Sequence, residues 1–226
     1  MFKLLSTANP KTSKGVARGY MTYVLHLAPY TLSGRNVCPR ATAGCIASCL
    51  NTAGRGGMFR PGETTNTVQR ARLRRTEFWN TDPEGFLKAL ADDIGRAEAQ
   101  AARRGLTAVF RLNATSDISW EKHGIIQQFP HLQFYDYTKV LGRKVQHLPN
   151  YHLTFSRAEN NEQEVAAALK QGMNVAVVFE QVPDHIYNAD ATDLRFLDGA
   201  QGIIGVRAKG PARRDTSGFV IRLAKA

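Results

Sequence analysis

The sequence predicts an α/β fold: a partial or small (β/α) barrel with about six mainly parallel strands. Three observations predict it. Short β-branched or aromatic runs recur along the chain, bounded by Gly, Pro, Asn or Asp. Segments with helical spacing of apolar residues separate them. The length of 226 residues suits a single domain, residues 1–226, with 43% hydrophobic and 22% charged residues. That composition excludes disordered, collagen-like and coiled-coil chains. A doubly wound open sheet is the second choice.

The elements follow in order. Residues 1–19 read as an N-terminal extension, and residues 20–28 (YMTYVLHLA) as the first strand. Residues 29–63 form a loop rich in Cys and Gly. A helix over 64–79 opens on Thr64 and Thr65 as caps and carries an Arg-rich face. A second helix, over 82–104, has Pro83 just inside its start, where Pro is favoured. Its Phe86, Leu87, Leu90 and Ile94 recur at helical spacing. Strands are expected at 108–112, 132–135, 151–155, 174–179 and 202–206, with a final one at 218–223. Further helices are expected at 119–129 and at 159–171, the latter closed by Gly172. Strands alternating with helices join as parallel β/α units. Functional groups then gather at the carboxyl ends of the strands.

There are 30 Lys and Arg against 19 Asp and Glu, a net charge of +11. Such an excess points to a polyanionic partner, a nucleic acid or nucleotide. Arg70, Arg72, Arg74 and Arg75 cluster in RARLRR and are the expected phosphate contacts. No apolar stretch approaches a membrane span, and the N-terminus lacks the apolar core of a signal peptide. The expectation is a cytoplasmic protein without membrane partners.

The sharpest signal is cysteine. All three, Cys38, Cys45 and Cys49, fall in one loop as C-x6-C-x3-C. An odd count in an intracellular chain argues against a disulfide framework. Clustered thiolates hold soft metals or iron–sulfur clusters. A [4Fe–4S] cluster on three thiolates leaves one iron open to substrate or cofactor. Zinc is the alternative and needs a fourth ligand, for which His26 and His123 are candidates. Three ordinary loop cysteines are the bland reading.

Strand ends supply the rest of a pocket. Arg111, Asn113, Ser116 and Asp117 follow the second strand. Asp136, Tyr137, Thr138 and Lys139 end the third, Ser156 the fourth, and Lys209 follows a later one. Asp117, Asp136 and Lys139 are the acid–base candidates, because a pocket shifts such groups toward the working pH. Arg111, Asn113, Ser116, Tyr137, Thr138, Ser156 and Lys209 are the substrate- or cofactor-binding candidates. Helix capping and turn chemistry is the competing explanation for each one singly. No P-loop, dinucleotide fingerprint or nucleophile elbow is present.

The segments LSTANPKTSKG, LHLAPYTLSGRNVCPRATAGCIASCLNTAGRGG, RLNATSDISWE, FYDYTK and YHLTFS resemble the phage and prophage proteins grouped as gene-product-88-like, over Leu4 to Phe219. The resemblance implies a phage or prophage origin and carries no activity. More distantly, the layout is similar to radical S-adenosylmethionine enzymes. Those have a partial β/α barrel and a three-cysteine loop after the first strand. That resemblance implies Cys38, Cys45 and Cys49 as ligands of a [4Fe–4S] cluster, with S-adenosylmethionine as a further cofactor. Those enzymes carry C-x3-C-x2-C, and a glycine-rich motif where this chain has residues 113–117. The leading expectation is an iron–sulfur enzyme that modifies a nucleic acid or nucleotide. Its rivals are a non-catalytic, metal-stabilised nucleic-acid-binding protein and a zinc-containing base-exchange enzyme.

Overall fold

Nine strands form one open, mostly parallel sheet in the computed structural model, which describes residues 3–7 and 12–223. They are β1 (Leu5–Ser6), β2 (Tyr20–Leu25), β3 (Thr107–Arg111), β4 (Gln133–Thr138), β5 (Tyr151–Ser156), β6 (Val175–Phe179), β7 (Tyr187–Asn188), β8 (Ile203–Arg207) and β9 (Val220–Ile221). The spatial order is β1-β2-β3-β4-β5-β6-β8-β7, with β9 beside β6. From β2 to β8 neighbouring strands run parallel. Chain order is spatial order through β6, as the alternation of strands and helices predicts.

The expected barrel does not close. Its edges are β1, antiparallel to β2, and β7, parallel to β8, each of two residues. Strands that short offer too few backbone groups to zip the edges together. One face of the sheet is covered by coil and the 3-10 turns Thr12–Arg18 and Arg195–Leu197. Leu194 packs there with Val109 and Tyr135, and Ala189 with Ala176 and Ile204. The helices take the opposite face, so the sheet is not doubly wound either.

Helix α3 (Pro83–Ala102) lies on that opposite face. Asp82 caps it by accepting the Gly85 N–H at 2.9 Å, and Pro83 opens its first turn. Phe86, Leu90, Ile94, Ala97 and Ala101 are buried at helical spacing, against Phe110, Phe134 and Leu153 of the strands. Burial of a side chain like Phe86 contributes ~1.5–3 kcal/mol. Helix α4 (Glu162–Lys170) covers β5 and β6 on the same face through Val165, Ala168 and Leu169. Helix α1 (Ala43–Ala47) belongs to the cysteine loop, and α2 (Thr67–Thr81) precedes α3.

Two expectations are corrected. The helix expected at 119–129 is only a short 3-10 turn, Trp120–His123. Gly124 follows in the left-handed region (φ 75), and Asn113 pins the Trp120 indole N–H. The N-terminal extension is partly built into the fold. Leu4 and Leu5 are buried, and Asp93 of α3 accepts both backbone N–H groups. Residues 1, 2 and 8–11 of that extension lie outside the described residues. Among the described residues no helix is long and apolar enough to cross a membrane.

Candidate functional site

The cysteine loop lies across the carboxyl ends of the strands. Cys45 packs against the buried cluster of Ala158 beyond β5, Ala208, Ala212, Phe219 and Val220 of β9, which Val178 of β6 also joins. There β9 pairs with Val178 and Phe179, while β5 reaches only Val175 and Ala176. The sheet thus splays between β5 and β6, and the loop docks over the gap.

Three braces hold the loop. The first is Glu159, just after β5. Its carboxylate accepts the Gly44 N–H and the Thr42 hydroxyl, each at 2.7 Å. Burial pushes that carboxyl up, but the Thr42 hydroxyl and backbone N–H bonds win and hold it below its ordinary value. A Cβ at position 44 would come within 2.2 Å of Ser217 and 2.8 Å of Glu159, so any larger residue there displaces the Glu159 brace.

The second brace is α2, whose buried face is polar rather than apolar. Asn66 caps it by accepting the Gln69 N–H, and its amide donates to the carbonyls of Arg55, Gly56 and Met58. The Gln69 amide also donates to Gly56. Arg72 donates to the backbone and side-chain oxygens of Asn51 at 2.9 and 2.7 Å. Thr76 accepts the Ala28 N–H. These residues recur at helical spacing, and that periodicity was the legible signal.

The third brace is Tyr30. It sits at φ 40, unusual for a residue with a side chain, and donates its N–H to Cys38 Sγ at 3.3 Å. The Asn51 N–H donates to Cys49 Sγ at 3.5 Å. All three cysteines are free thiols and half-buried. Burial pushes Cys38 up to about 12 and raises Cys49. Cys38 feels the charges of Cys49, Asp117 and Cys45, and Cys49 those of Cys45, Arg72 and Lys139. A group built to act as a thiolate in such a place needs a compensating cation or metal. Among the described residues, no three His, Cys, Asp or Glu side chains come close enough to hold one metal ion.

Residues 3–223 match the family described as gene product 88. The chain belongs to the gene product 88 family. No curated protein and no solved structure matches it significantly. The family description names no reaction, so the chemistry of this family member is read from its side chains.

Lys139 makes its charge felt at Cys49. Its N–H donates to Asp117 Oδ2 at 2.8 Å, and its ammonium lies 5.6 Å from the Phe219 ring centroid. Asp117 lies 3.5 Å from the buried Arg143 guanidinium, and burial raises its carboxyl above the ordinary value. Its charge is felt at Cys38. Arg111 stacks over the Tyr137 ring at 4.7 Å and pairs with Asp193 at 3.5 Å, on the coil-covered face. Ser156 shares that face at the end of β5. Lys209 is turned to the rim and paired with Asp190 at 2.9 Å.

Other candidates sit elsewhere. Asp136 is fully buried on the helix-covered face, where Asn113 and Tyr151 donate to it. Burial pushes its carboxyl up to about 7. Asn113 is a loop hub: its Oδ1 accepts from Ser116, Ile118 and Trp120. The Thr138 hydroxyl accepts the Val140 N–H. Asn113, Ser116, Thr138 and Asp136 therefore all have structural partners. His26 is half-buried among the charges of Arg72, Arg111 and Arg75, and His123 stacks edge-on against Trp79.

The Arg-rich helix is also divided. Arg72 is buried under the loop, and Arg75 donates to the Lys3 carbonyl. Arg70 is tied to Thr65 and Glu63. Arg74 alone of the four is exposed without such a bond.

Proposed function

We propose that this gene product 88 family member is an iron–sulfur protein that modifies a nucleic acid or nucleotide. Cys38, Cys45 and Cys49 would hold a [4Fe–4S] cluster. One observation carries the reading. Three free thiols sit on one braced loop, over the splayed carboxyl end of a parallel sheet, with backbone N–H groups on two of the sulfurs.

When bound, such a cluster would supply electron transfer and, with only three thiolates on it, an iron open to substrate or cofactor. The chain's own groups do the rest. Arg72 and Lys139 place positive charge beside Cys49 and offset the charge of the thiolates. Asp117 orients Lys139 through its backbone. Arg111, held by Asp193 and Tyr137, offers a fixed cation to an anionic substrate group.

Anaerobic purification followed by iron and sulfide analysis tests the proposal. About four irons and four sulfides per chain, with broad absorption near ~400 nm, is the expected result. Cys45→Ser should abolish the colour and the iron. One zinc without colour, or unchanged iron in Cys45→Ser, would overturn it.

A further inference from the structure

The cysteine loop is apolar and cationic on its outside. Five of the eight large apolar side chains exposed among the described residues lie on it: Leu32, Ile46, Leu50, Met58 and Phe59. Met58 is 70% exposed. Ile46 directly follows Cys45, and Leu50 directly follows Cys49, so the apolar surface adjoins the thiols. Such surface facing water marks an interaction site.

The charges around it are of one sign. Arg35, Arg40, Arg55 and Arg60 stand exposed on the loop, against the single acidic residue Glu63. The turn Gly210–Arg214 packs on the loop turn Leu50–Thr52 and adds the exposed Arg213 and Arg214. Among the described residues, Arg35, Arg40, Arg55, Arg213 and Arg214 form no ion pair.

We propose that this loop and turn form a docking surface for single-stranded DNA. Unpartnered arginines draw phosphates, and exposed apolar and aromatic side chains stack on or pack against bases that are not already paired. A duplex buries its bases, so it would meet the arginines and leave Phe59, Met58 and Leu50 facing water. Deoxyribose packs on Leu, Ile and Met without burying the 2′-hydroxyl that RNA carries. The inference deepens the proposed function by naming its substrate class. It rests on that reading for what is done to the strand, not for the binding.

Fluorescence anisotropy with a labelled mixed-sequence 20-nucleotide DNA tests it, beside its duplex and the RNA of the same sequence. The single strand should bind at least about tenfold tighter than either. Phe59→Ala should weaken the single strand about tenfold and leave the duplex unchanged. The pair Arg35→Ala and Arg55→Ala should weaken both and lower the salt slope by ~0.7 per arginine for the single strand and ~0.9 for the duplex. Met58→Ala replaces Phe59→Ala should the latter lower the melting temperature. Equal binding of duplex and single strand would overturn the proposal. So would tighter binding of RNA, no effect of the apolar variants, or binding to anionic vesicles instead of DNA. Iron is measured on the same preparation. DNA binding without iron sinks the cluster and keeps this interface; iron without DNA binding does the reverse.

Discussion

His26 shows how burial among like charges sets a single residue's chemistry. Its imidazole is held down to about 3, first by burial and then by the charges of Arg72, Arg111 and Arg75. The folded value lies below the ordinary one of ~6.5, so between these values the folded chain binds fewer protons than the unfolded chain. Stability therefore falls as pH drops through that window, by up to ~1.4 kcal/mol per pH unit. His26→Gln should flatten the slope, read from denaturant midpoints between about pH 4 and 7. An unchanged slope would assign it to another group. At the same scale, Asp136 is an acid–base candidate and Asn113 a binding candidate in the sequence. Their hydrogen bonds are all internal. Sequence shows which residues can donate and accept, not which partner lies within 3 Å.

Among the elements, α2 is the instructive one. Its arginines suggested a nucleic-acid face, but its polar buried face ties down the cysteine loop. Asn66 is the key residue, acting as helix cap and as donor to three loop carbonyls. Asn66→Ala should cost about 2–3 kcal/mol, one cap plus buried carbonyls left unpaired. Thermal or urea unfolding measures that cost. Under the proposed cluster, iron retention should fall with it, because Cys49 and Asn51 sit on the segment that α2 secures. A loss under about 0.5 kcal/mol would mean the loop holds itself. Helix α3, by contrast, was legible at both ends, since the Asp82–Pro83 start and the apolar stripe are local signals.

For the whole molecule, the sheet and its helix-covered face form a continuous core. Trp79 and Trp120 lie in the same apolar cluster as the residues of β2 through β5 and α3. Tryptophan fluorescence and backbone circular dichroism should therefore report one coincident unfolding transition. Two separated transitions would divide the chain into independent units.

What the sequence determined alone is what rests on short-range rules. Strand runs, helix spacing and caps, the basic excess and the three-cysteine loop are all carried by residues close together in the chain. So is the family, whose segments spread over residues 3–223. The tertiary structure decided the rest. Closure of the sheet depends on how two distant edges meet, and here two-residue strands leave it open. Whether an arginine greets solvent or braces a loop depends on what folds over it, as Arg72 and Arg74 show from two positions apart. Which aspartate faces the thiols depends on the pleat. Alternation puts Asp136 under the helices, and the chain beyond β3 carries Asp117 back toward Cys38.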